Sequence, residues 1–155
     1  MKARKIALML ALCLVGVAMC YASDTDNLMG TWKLNQAKSK FSAGATKNIM
    51  VVYAPAGDQV KVTTDGITSD GKSVQTEWVG KFDGKDYPLT GAVSSTRAYK
   101  KIDDRTLELT NKKDGKVTTT GRAVVSADGK SRTVTIKGTS PDGKKVSYTA
   151  MYDKQ

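Results

Sequence analysis

The chain has 155 residues, a net charge of +10 from 25 Lys and Arg against 15 Asp and Glu, two cysteines and no histidine. Without histidine, Ser-His-Asp catalysis, imidazole general bases, histidine-ligated haem and most zinc sites are excluded. The length suits one domain with one core.

Lys2, Arg4 and Lys5 open the chain, and an apolar or small run follows from Ile6 to Cys20. That run is too short to span a bilayer and ends in small residues, which predicts a secretory signal helix. Cysteine and alanine at 20 and 22, or glycine and alanine at 16 and 18, both fit a cleavage site; the cut after Ala22 is preferred. The chain then divides into a signal peptide, 1–22, and a domain, 23–155, of 133 residues and charge +7. Acylation of Cys20 would need a small residue before it, where Met19 stands. Cys13 and Cys20 both leave with the leader, so the expected product is an exported, periplasmic or extracellular domain without disulfides.

The remaining residues alternate apolar and polar between short reversals. Ten strands are predicted near 29–35, 47–54, 58–65, 72–82, 86–90, 95–102, 106–113, 116–126, 131–139 and 144–153. Only 35–44, NQAKSKFSAG, reads as a short helical turn closing at Gly44. The triplet Asp-Gly-Lys recurs at 70, 83, 114, 128 and 142. Aspartate tolerates positive φ and glycine adopts it freely, so each copy is expected to reverse the chain in a type I′ turn. The aspartates are therefore read as turn residues rather than metal ligands, and no metal or other cofactor is expected.

A meander of ten strands removes its exposed edges by closing on itself, with the first strand pairing the last. The predicted fold is an all-β, up-and-down antiparallel barrel with one short helical turn after the first strand. The apolar phase of each strand places Val60, Val62, Val74, Thr76, Trp78, Phe82, Leu107, Leu109, Val117, Thr119, Gly121, Ala123, Val125, Val134, Ile136, Val146, Tyr148, Ala150 and Tyr152 inside. Trp32 reads as a core plug. In the strand STRAYKKI either Ala98 and Ile102 face inward, or Arg97, Tyr99 and Lys101 do. The first is preferred because burying two cations is expensive. Arg132 shares the inward phase but adjoins the Asp128-Gly129 turn, which places it at the rim. Many inward residues are small, which leaves either a cavity or a flattened solid core.

The opening strand, LMGTWKLN from Leu28 to Asn35, resembles the Gly-x-Trp start of the calycin superfamily, the lipocalins and fatty-acid-binding proteins. The last strand, YTAMYDKQ from Tyr148, resembles the closing strand of the fatty-acid-binding branch, and the whole of 28–155 is similar to small exported bacterial lipocalin-like proteins. The resemblance implies a barrel carrying a small apolar molecule, with the tryptophan plugging one end. Two departures stand out. Residues 35–46 leave no room for a two-helix lid. Tyr152 matches the tyrosine of an Arg-x-Tyr carboxylate grip, but Ala150 stands in place of the arginine.

The expected function is non-enzymatic binding or carriage of a small apolar or amphipathic ligand in the cell envelope or outside the cell. Trp78, Phe82, Arg132, Tyr148 and Tyr152 are the candidate ligand contacts. The alternative is an envelope protein-interaction module, an inhibitor or adaptor, acting through the basic outer face. Lysines dispersed among turns, with no stripe of aromatics, argue against nucleic-acid binding. Membrane contact is expected only through the signal peptide or peripheral charge, and the domain is read as a monomer.

Overall fold

The computed structural model describes residues 27–92, 95–139 and 143–155. The predicted signal peptide, both cysteines and Asp142 lie outside the described residues. Ten strands follow in order: β1 (Gly30–Phe41), β2 (Lys47–Ala56), β3 (Gln59–Ile67), β4 (Ser73–Gly80), β5 (Tyr87–Thr90), β6 (Ser95–Asp103), β7 (Thr106–Lys113), β8 (Lys116–Val125), β9 (Ser131–Thr139) and β10 (Lys145–Lys154). Each pairs antiparallel with its neighbours in sequence, and β1 pairs β10 to close the barrel. The predicted meander is therefore observed, closed through its first and last strands.

Residues 35–41 are not helical. β1 runs through them and leaves the β10 ladder between Asn35 and Lys40, where Asn35 opposes Met151 and Lys40 opposes Thr149. The hydroxyl of Ser39 fills the gap: it accepts from the Met151 amide at 2.9 Å and donates to the Asn35 carbonyl at 2.7 Å. Polar side chains such as Ser39 thus take the place of missing ladder bonds, and QAKSK carries no apolar stripe for a helix to bury. Beyond the bulge Phe41 packs on Tyr148, ring centroids 5.2 Å apart. Only residues 42–46 join β1 to β2, so no lid separates them.

The Asp-Gly pairs do not all fold alike. At Asp114-Gly115 both residues have positive φ, 49° and 74°, the type I′ geometry. At 71 and 129 only the glycine does. There a hydroxyl two residues before the aspartate organises a wider turn: Thr68 donates to Asp70, and Ser126 donates to Asp128 at 2.6 Å. The Gly71 and Gly129 amides each donate to that hydroxyl residue's carbonyl at 3.0 Å. Asp83-Gly84 docks on β6 rather than reversing tightly, with the Gly84 amide donating to the Tyr99 carbonyl at 2.8 Å. Gly115→Ala is expected to lower stability by about 1–2 kcal/mol, because a Cβ disfavours the left-handed region. Urea unfolding checks this, and an unchanged midpoint would remove the type I′ assignment.

One end of the barrel is packed solid. Leu28 and Trp32 are 1% and 0% exposed, and the Trp32 indole N–H donates to the Leu28 carbonyl at 3.1 Å. Trp32 is thus the plug that the sequence predicts. Above it Trp78, Phe82, Tyr99 and Tyr53 form an aromatic cluster. Trp78 meets Tyr99 edge-on at 4.9 Å and stacks with Phe82 at 6.1 Å. Gly80 has no side chain because a Cβ there would lie 2.5 Å from the Tyr87 ring, which crosses the strand to reach Trp78.

Two inward assignments are corrected. Val117 is 58% exposed, because a bulge between Asn111 and Lys112 inserts Thr118 and turns Val117 outward. Ile102 is 43% exposed, and it is Arg97 and Tyr99 that face the interior of β6. Lys101, on the same phase, escapes burial at the strand end by reaching Asp104 at 3.1 Å.

Candidate functional site

The other end is hollow. A cavity of about 270 Å³ opens among the loops joining β1–β2, β3–β4 and β5–β6, beside the ends of β7 and β8, and its wall is more apolar than polar. Val74, Leu89, Ile136, Val146 and Tyr148 supply apolar surface, and Thr64, Thr76, Thr96 and Thr119 supply methyls with hydroxyls. These are the small residues of the inward phases: side chains this slight do not meet across a ten-stranded barrel. The interior is therefore both alternatives at once, solid at the plugged end and open at the other.

Arg97 enters this cavity from β6. Its Nε donates to Asn111 Oδ1 at 2.6 Å, its Nη1 to the Tyr99 hydroxyl at 3.3 Å, and Asn111 donates onward to Thr119 Oγ1 at 2.8 Å. Burial opposes the charge, the oxygens of Tyr99 and Tyr53 favour it, and the balance holds the Arg97 pKa above its usual value. A guanidinium stays charged in any protein setting. That hydrogen-bond chain is why the strand accepts the polar phase that a cost argument alone rejects: the half-buried cation is partnered.

Arg132 lies at the plugged end rather than the rim. It is 3% exposed, and its guanidinium carbon is 4.9 Å from the Trp32 ring, 5.0 Å from Tyr53 and 4.9 Å from Tyr152. Cation–π contacts contribute about 0.5–1 kcal/mol at exposed sites and about 2 kcal/mol when desolvated. Its Nε is buried without a hydrogen-bond partner.

Of the five candidate contacts, Tyr148 lines the main cavity. Tyr152 and Arg132 border a smaller void beneath it, and the Tyr152 hydroxyl donates to the Asn48 carbonyl at 3.1 Å. Trp78 and Phe82 stand in the aromatic cluster and touch neither void. Residues passed over by the sequence reading are Arg97, Asn111, Asn48 and Thr64, which line both voids. Burial pushes Tyr148 up to about 12 and raises Tyr53 and Tyr152 as well, against the pull of the arginine charges. All three stay protonated at neutral pH and offer hydroxyls, not negative charge.

Fold and site define a closed ten-stranded antiparallel barrel that is plugged at one end and hollow at the other. Two of the solved structures similar to it are designed barrels. A redesigned beta barrel, mFAP1, bound to DFHBI, is 14% identical over 84% of this chain and 98% of its own, with a TM-score of 0.44. A fluorescence-activating beta barrel of de novo design is 16% identical over 84% of this chain and 96% of its own, with a TM-score of 0.43. No protein-family model matches the chain, and no curated protein does.

Proposed function

We propose that this chain is a non-enzymatic binding or carrier protein for a small apolar or amphipathic molecule. The observation that carries the reading is the hollow itself. A domain able to pack Trp32, Trp78 and Tyr99 at one end leaves about 270 Å³ at the other, walled mainly by threonine, valine and alanine. Ligand pockets run from roughly 300 Å³ upward, so the occupant is a compact molecule. The ionisable residues on the described wall are Arg97, Lys112, Lys113 and Tyr148, with no carboxylate among them. Such a wall accepts neutral or anionic guests and offers no acid–base pair for catalysis. The signal-like leader supports export to the periplasm or the cell exterior. The Gly-Thr-Trp opening supports kinship with the calycins.

Displacement of the uncharged fluorophore N-phenyl-1-naphthylamine by aliphatic alcohols tests this. Thr76→Trp, which fills the cavity from β4, is expected to weaken fluorophore binding at least about tenfold while the melting temperature holds. Unchanged binding by the filled barrel would overturn the reading. Native mass spectrometry of the protein from its own host's exported fraction would identify the natural occupant by its mass.

A further inference from the structure

Beneath the main cavity lies a recess of about 40 Å³ whose wall is more polar than apolar, the reverse of the space above. Two arginines border it, Arg97 from β6 and Arg132 from β9, together with Asn48, Asn111, Tyr148 and Tyr152. Among the described residues no aspartate or glutamate does. The seven ion pairs described between side chains join other residues, so neither arginine has a carboxylate partner among them. Arg132 is the less satisfied of the two. It is 3% accessible, aromatic rings pack against it, and its Nε still lacks a hydrogen-bond partner.

A buried Arg132 and a half-buried Arg97 that share one recess without a described carboxylate are an unstable arrangement unless something anionic joins them. The tyrosines do not supply the charge, since burial keeps Tyr148 and Tyr152 protonated, but their hydroxyls are donors. An occupant must therefore be an anionic acceptor, and small. At roughly 30 Å³ per water, the recess admits one group of carboxylate size. We propose that this recess is a binding site for a compact monovalent oxyanion held between Arg97 and Arg132. The chemistry has two sources. The anion is either free in solution, or the carboxylate of an amphipathic acid whose apolar part fills the cavity above. The two spaces share Arg97, Asn111 and Tyr148, which makes the second source sterically continuous. That source rests on the carrier reading, whereas the anion site itself does not.

Thermal unfolding of the full chain in sodium acetate, nitrate or gluconate at equal ionic strength tests the site. Acetate and nitrate should raise the melting temperature with a saturating dependence, and gluconate, whose polyhydroxylated chain would have to enter the mainly apolar cavity above, should not. Arg97→Gln should abolish the saturating term. Arg132→Lys serves as a second variant that keeps the charge but loses the planar fork, and should weaken it. Equal effects of all three anions, or a saturating response that survives in Arg97→Gln, would overturn the site. Displacement of N-phenyl-1-naphthylamine by octanoate and by octan-1-ol then separates the sources. Octanoate about tenfold tighter than octanol, with acetate competing against octanoate alone, assigns the site to the ligand's head group. Equal displacement beside a saturating acetate response assigns it to a free anion. Failure of the fluorophore to bind would remove the carrier reading and leave the acetate result standing.

Discussion

Trp78→Ala is expected to lower the unfolding free energy by about 3–5 kcal/mol, a large part of the 5–15 kcal/mol typical of a folded domain. The residue is wholly buried, and its ring contacts Phe82, Tyr87 and Tyr99 at centroid distances of 6.1, 5.5 and 4.9 Å. Neighbours on rigid, ladder-bonded strands cannot collapse into the space, so the cavity contribution is retained in full. The indole N–H also donates to the Arg97 carbonyl at 2.8 Å. Trp78→Phe separates the two effects. It keeps most of the apolar volume and is expected to lose less, including about 1 kcal/mol for the bond. It also frees the backbone of the residue that carries the cavity's guanidinium, so octanoate selectivity should fall more than stability. Urea unfolding with an unchanged m-value checks the first claim. A loss below about 1 kcal/mol for Trp78→Ala would mean that the plugged end is not the solid layer described here.

The strands were legible because period-two alternation and Asp-Gly punctuation agree with each other from β2 to β10. The turn types were partly legible. TSDG and SADG carry a hydroxyl two residues before the aspartate, and that hydroxyl favours the wider turn; KDGK at 113–116 lacks it and folds as type I′. Three features were not legible, each for a physical reason. The bulge at Thr118 is one inserted residue among threonines of equal polarity, so nothing in the pattern marks where Val117 changes face. In β6 both phases are polar, and the partners that make Arg97 acceptable inside, Asn111 and Thr119, belong to other strands. Arg132 had the right phase and the wrong end. Its depth follows from which mouth is plugged, and the signal for that was the opening strand: Trp32 pairs with Lys154, next to the residues facing Arg132.

Above pH 10 the barrel is expected to unfold, and its buried tyrosines set the window. In the unfolded chain a tyrosine ionises near pH 10. In the folded chain burial holds the Tyr148 proton until about 12, with Arg97 pulling down and Tyr99 pushing up, and raises Tyr53 and Tyr152 too. Between these limits the folded state binds more protons than the unfolded one, so stability falls as pH rises. The stabilisation is complete below pH 10 and is lost as pH climbs through 12. For Tyr148 alone two pH units correspond to at most about 3 kcal/mol, and the other two act in the same direction. Ionisation and unfolding are thereby linked, so sheet circular dichroism and phenolate absorbance should change together in one cooperative step. Tyr148→Phe keeps the ring against Phe41 and removes one titrating group, and it should move the midpoint to higher pH. Phenolate appearing near pH 10 with the sheet intact would place these hydroxyls in contact with bulk water. It would also count against the buried setting of Tyr148 and Tyr152 on which the proposed anion site draws.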